Sequence, residues 1–262
     1  MKYSALLLLP FVLLGGAIDK DGVQNAAAWH LPTNVIAPGQ IVTLIGSGFV
    51  PFGVEVQFRT LPVPTTLADV QVKFDGIAGA LYYVSPTQIN VQVPLTVVGG
   101  NTTITVLNKG AVVATTTMRT SAQSPGIFTY NGEAIITSPN GALVSMKGFP
   151  TLEVGPTGAY IVLYGSGFGP TNPAFFPGVP APLSPLLLYR LISTNVSAKL
   201  DGRDINIEYI GLTPGSVGLY QINLFIPSST KAGSHILSLN IGGVDLPDIT
   251  VTTSSIMAVI KQ

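Results

Sequence analysis

The chain has 262 residues, enough for one large or two smaller cores, with acidic and basic side chains in equal number and no cysteine. Zero net charge excludes a basic field that recruits nucleic acid, and the missing thiol excludes a disulfide framework, a lipoprotein anchor and a thiolate nucleophile or ligand. Only 9% of residues are charged, against about 25% in an average globular protein, so the surface must be solubilised or covered by other means.

The first segment, MKYSALLLLPFVLLGGA, joins Lys2 to an apolar run from Ala5 to Leu14 and then to the small residues Gly15 and Ala17. That order predicts a signal peptide over residues 1–17, cleaved to leave Ile18 as the mature start and to send the protein out of the cell. The run is shorter than the roughly 20 residues of a membrane span and holds Pro10, so no span is expected in the mature chain. Residues 18–33 then read as an N-terminal arm containing Trp29 and His30.

Residues 34–124 alternate apolar and polar positions with a period of two, the pattern of half-buried antiparallel strands. Val70, Val72 and Phe74 fall on one face before a turn at Asp75-Gly76, and Ile89, Val91 and Val93 do the same farther on. Short strands with frequent turn signals predict an all-β, immunoglobulin-like sandwich. Residues 125–262 repeat the plan: VSAKLDG at 196–202 matches VQVKFDG, and YQINLFIP at 220–227 matches TQINVQVP. A hairpin through Asn140-Gly141 is expected near the junction, and a Pro-rich loop over 169–190.

The tetrad Gly-Ser-Gly-Phe begins at Gly46 and again at Gly165, and two glycines around a serine raise the question of a phosphate cradle. A dinucleotide fingerprint needs a third glycine where Pro51 and Pro170 stand, and no helical pattern follows either copy. The tetrad is therefore expected to be a structural turn, with Phe49 and Phe168 plugging the ends of two cores.

Catalytic groups are sparse. His30 and His235 are the only histidines, no serine sits in a Gly-x-Ser-x-Gly elbow, and Asp75, Asp201 and Asp204 lie in hairpin-turn contexts. Asp19 and Asp21 open like a calcium loop but lack its later carboxylates. No enzyme activity, metal or cofactor is expected. Carbohydrate binding needs an exposed aromatic platform; Trp29 is its candidate, and alternation puts one ring of the Tyr82-Tyr83 pair inside. Asn101 and Asn195 head two sequons and are candidate glycosylation sites.

The stretches GVQNAAAWHLPTNVIAPGQIVTLIGSGF, YYVSPTQINVQVP, SPGIFTY, YGSGFGPTNP and GLTPGSVGLYQINLFIP resemble the Solibacter C-terminal domain family, a module of secreted proteins of soil bacteria. The resemblance runs from Gly22 to Thr253, and each half is also similar to IPT/TIG immunoglobulin-like domains. It implies tandem sandwiches and an extracellular setting, and brings no catalytic residues. That module commonly ends a longer protein, so a chain made almost wholly of it is expected to be a free-standing subunit.

These readings converge on an extracellular structural or adhesive protein that assembles into a homo-oligomer or polymer. The expected contacts are strand addition by the arm, through Ile18, Val23 and Trp29, and an apolar stretch comprising Leu186, Leu187, Leu188, Tyr189, Leu191 and Ile192. The alternative is a module that binds polysaccharide or another extracellular ligand.

Overall fold

The computed structural model describes residues 15–28, 33–97, 99–184 and 187–255. Most of the expected signal peptide lies outside these residues, as do Trp29, His30, Leu186 and the C-terminal segment 256–262. Among the described residues every regular element is a β-strand.

The first domain contains β1 (Ala17–Asn25), β2 (Val35–Ile36), β3 (Ile41–Ser47), β4 (Val56–Gln57), β5 (Val70–Phe74), β6 (Ile77–Ala78), β7 (Ala80–Val84), β8 (Gln88–Gln92), β9 (Gly100–Asn108) and β10 (Ala111–Thr120). Two five-stranded sheets result, in the orders β1-β3-β8-β7-β4 and β2-β10-β9-β5-β6. Alternation decides what lies between them. Val42, Leu44, Ile89 and Val91 from one sheet meet Val70, Val72, Phe74, Ile104 and Val106 from the other, all fully buried.

The second domain contains β11 (Gly126–Ile127), β12 (Thr129–Tyr130), β13 (Glu133–Ala134), β14 (Ile136–Thr137), β15 (Leu152–Val154), β16 (Ala159–Ser166), β17 (Thr171–Asn172), β18 (Arg190–Leu191), β19 (Val196–Leu200), β20 (Arg203–Asp204), β21 (Ile207–Leu212), β22 (Tyr220–Ile226), β23 (Gly233–Ile241), β24 (Val244–Asp245) and β25 (Ile249–Ser255). One sheet runs β11-β16-β22-β21-β18-β17, with β14 also on β16; a second runs β15-β25-β23-β19-β20, with β24 also on β23; and β12 and β13 form a separate two-stranded sheet. Its core is a separate cluster built on Ile161, Leu163, Ile222, Leu224, Leu237 and Val251. The chain is thus two tandem immunoglobulin-like sandwiches.

Local details repeat as well. In each copy a short early strand runs parallel to the last one, β2 beside β10 and β15 beside β25. Asp75-Gly76 and Asp201-Gly202 are two-residue turns with positive φ at both positions. Each aspartate then accepts a strand N–H, from Thr103 at 2.8 Å and from Ile236 at 2.9 Å.

The tetrads are core plugs. Phe49 and Phe168 have no exposed surface. Each ring packs against the first glycine of its own tetrad: a Cβ on Gly46 would stand 2.7 Å from Phe49 Cζ, and one on Gly165 2.4 Å from Phe168 Cζ. Only a residue without a side chain lets the ring reach the backbone.

The expected arm is a correction. Ala17–Asn25 is the edge strand β1, paired antiparallel with β3, and Val23 opposite Leu44 is buried in the first domain's own core. Apolar Val23 gains more from this core than it would in water, so it is no surface contact.

Candidate functional site

Three places gather polar groups: a histidine on the second domain, the seam between domains, and the outer face of the sheet holding β7 and β8. The first has the outline of catalytic machinery. His235 Nδ1 lies 2.7 Å from Asp201 Oδ2, and its Nε2 lies 3.2 Å from Thr253 Oγ1 and 2.9 Å from the Lys231 carbonyl. The carboxylate and the Lys231 carbonyl are both acceptors, which favours the protonated ring, and the Asp201 hydrogen bond raises its pKa above the ordinary histidine value. The same hydrogen bond lowers the pKa of Asp201. Thr253 is buried and donates its hydroxyl proton to the Lys231 carbonyl at 2.7 Å. Both ring nitrogens and the hydroxyl are thus engaged by groups of the fold itself. The trio clamps the Asp201-Gly202 turn to the strands behind it.

No cluster of three or more His, Asp or Glu side chains able to hold a metal occurs among the described residues. A cavity of about 990 Å³ near Asn25, Ser124 and Pro247 has carboxylates on its wall. They are already engaged: Glu133 by the Lys147 N–H, Asp245 by Asn240, and Asp248 by Ser238.

The seam is made of buried hydrogen bonds. Ser166 Oγ, from the second tetrad, accepts the Ile41 N–H at 2.8 Å. Gln92 accepts the Gly178 N–H at 2.8 Å through Oε1 and donates through Nε2 to the Gly39 carbonyl at 3.1 Å. Tyr82 donates to the Val217 carbonyl at 3.1 Å, and Val63 N–H to the Gly178 carbonyl at 2.8 Å. Phe175 is buried and lies against Gly39, where a Cβ would be 2.2 Å from its Cζ. The front of the Pro-rich loop is therefore the clasp of the second domain on the first.

The rest of the apolar stretch divides. Tyr189 and Leu191 pack against the second core, and Leu188 is half-buried. Leu187 and Ile192 point outward, being 44% and 54% exposed. Ile18 packs at the margin of the first core, and Asn101 and Asn195 are exposed.

The outer face of the β7–β8 pair carries a groove of about 350 Å³ lined by Gln57, Phe58, Tyr82, Tyr83, Gln88 and Asn90. A register shift between Leu81 and Tyr83 marks a β-bulge. Leu81 and Val84 face the core, so the extra residue puts both tyrosines outside. This corrects the expectation of one inward ring, which strict alternation required. Tyr82 is then half-buried against the second domain, and its pKa is raised by burial. Gln57, Tyr83 and Asn90 stand side by side on three neighbouring strands. Gln88 Nε2 donates to Asn90 Oδ1 at 2.9 Å, and Tyr83 donates to Glu55 at 2.9 Å. Sequence reading missed this face because a bulge leaves no mark in a period-two pattern; the doubled Gln-Ile-Asn was its one available signal.

Residues 30–130 match the IPT/TIG domain family. Among solved structures, the full extracellular region of plexin A4 overlaps with 11% identity and a TM-score of 0.29, over 91% of this chain and 16% of that one. Domains 5–6 of the S-layer protein SbsC overlap with 14% identity and a TM-score of 0.28, covering 91% and 98%. A chimeric titin Z1Z2 tandem does so with 14% identity and a TM-score of 0.24, covering 83% and 90%. No curated protein matches.

Proposed function

We propose that this protein is a non-enzymatic extracellular module, structural or adhesive, whose two immunoglobulin-like domains act as one stiff body. The observation that carries this reading is the seam. Ser166, Gln92 and Phe175 are buried there, and each engages the other domain. Buried polar groups hold one geometry because losing a partner costs the full desolvation of the group left behind. The IPT/TIG match supports a role without turnover, as does the engagement of both His235 ring nitrogens by Asp201 and the Lys231 carbonyl, and the N-terminal signal-like segment supports export. The resemblance to the Solibacter module would extend the same setting to the second domain. Small-angle X-ray scattering tests the reading: the profile should fit a single two-domain arrangement, and a broad ensemble of interdomain distances would overturn it.

Self-assembly into a fibre or surface layer is a second reading. It is favoured by Phe52, Phe176, Leu183, Leu187 and Ile192, which leave large apolar surfaces outside on a chain with 9% charged residues. Sedimentation velocity and negative-stain microscopy of the purified protein should then show oligomers or filaments. A strictly monomeric species at high concentration would end it.

A further inference from the structure

We propose that the outer face of the first domain at Gln57, Phe58, Tyr83, Gln88 and Asn90 is a binding site for a neutral, hydroxyl-rich oligosaccharide chain. The inference deepens the adhesive reading and names what the module adheres to. Three features of the groove select this chemistry. Its volume of about 350 Å³ lies at the lower end of the range for ligand sites. Aromatic rings supply flat apolar surface of the kind that packs on the C–H face of a sugar ring. Planar amides supply donors and acceptors together, as a string of hydroxyls requires, because each hydroxyl both gives and takes a hydrogen bond.

The amides are already oriented. The bond from Gln88 Nε2 to Asn90 Oδ1 uses one donor and one acceptor, and leaves Gln88 Oε1 to accept and Asn90 Nδ2 to donate. Gln57 stands across Tyr83 from Asn90, so the row spans two interstrand spacings, each about 4.8 Å. The six lining side chains are uncharged, and the one carboxylate beside them, Glu55, which accepts the Tyr83 hydroxyl at 2.9 Å, repels a uronic or phosphorylated chain and so favours a neutral one.

The duplicated domain supplies an internal comparison. There Gln221 donates to Asn223 at 3.0 Å, Tyr209 stands opposite Asn223, and a bulge falls between Ile207 and Tyr209. The same constellation is thus built twice. In the second copy it is shut: Arg190 Cζ lies 5.1 Å from the centre of the Tyr209 ring, the Tyr209 hydroxyl donates to the Leu212 carbonyl at 2.7 Å, and Tyr209 is only 6% exposed. In the first copy uncharged Gln57 lies beside Tyr83 and the face stays open. The two copies have kept one plan and diverged in access, which assigns the site to the first domain.

Affinity electrophoresis tests the assignment, with the purified protein run through gels containing a mixed-linkage β-glucan, a galactomannan, a xylan or dextran, and polygalacturonate as the charged comparison. At least one neutral polymer should retard the protein. Tyr83→Ala and Gln57→Ala should each weaken that retardation about tenfold, while Tyr130→Ala, exposed on the second domain, should leave it unchanged. The Gln57 side chain is exposed, so its removal spares the fold even if Tyr83→Ala lowers the melting temperature. No retardation by any of the four neutral polymers, retardation by polygalacturonate alone, or undiminished retardation of both groove variants would overturn the proposal. A single two-domain scattering profile would survive each of those results, so the two readings fail separately.

Discussion

Ser166 of the second domain accepts the Ile41 N–H of the first at 2.8 Å, in a position with no exposed surface. The equivalent serine of the first tetrad, Ser47, is exposed. One motif therefore serves two ends: both copies plug a core, and only the second also fastens the domains.

Replacing Ser166 by alanine should leave the Ile41 N–H buried without its partner and cost about 1–3 kcal/mol. Ser47→Ala should stay within about 0.5 kcal/mol of the parent, as exposed positions do. Urea denaturation of the two variants measures both values, and equal effects would refute the asymmetry.

The plug itself should be costly to disturb. Phe168→Ala removes a fully buried ring and should cost about 3–5 kcal/mol. Gly165→Ala should destabilise as well, because its Cβ would stand 2.4 Å from both Phe168 Cζ and the Gly126 carbonyl oxygen. Thermal unfolding of each variant checks this, and a Gly165→Ala protein as stable as the parent would show that the close packing is dispensable.

The clasp can be opened from the first domain. Gly39 has φ of +74° and touches Phe175, so Gly39→Ala is strained in its backbone and would push that ring out. Limited proteolysis should then cut faster within residues 174–184, between β17 and β18. Unchanged cleavage would mean that Phe175 does not hold the loop.

The clamp at His235 should make stability depend on pH. Its pKa is raised on folding, so its contribution is full below the ordinary histidine value of about 6.5 and is lost as pH rises through the folded-state value. Asp201 is lowered, so its share is full above about 3.9 and is lost as pH falls. The pair therefore helps most between about pH 4 and pH 6.5. The melting temperature of the parent should fall more than that of His235→Gln from about pH 6 to pH 8.5, and parallel curves would exclude the ion pair as the cause.

The strands were legible because each records its own burial: Val70, Val72 and Phe74, or Ile89 and Val91, alternate as the sheet does. The tetrads were legible as turns because proline stood where a nucleotide loop needs glycine. What stayed hidden depends on residues far apart. Nothing near Phe175 says that it will rest on Gly39, and nothing separates Ser166 from Ser47 until the domains meet. The groove was hidden for another reason. An inserted residue at Tyr82 shifts the pairing while leaving the local pattern ambiguous, so the reading that buried one tyrosine followed the period and missed the bulge.

The central claim, that the two domains move as one, is tested most directly by backbone ¹⁵N relaxation. Amides of β3 and β8 in the first domain and of β16 and β22 in the second should report a single overall tumbling time and one common diffusion axis. Two distinct and shorter tumbling times, one for each domain, would contradict it.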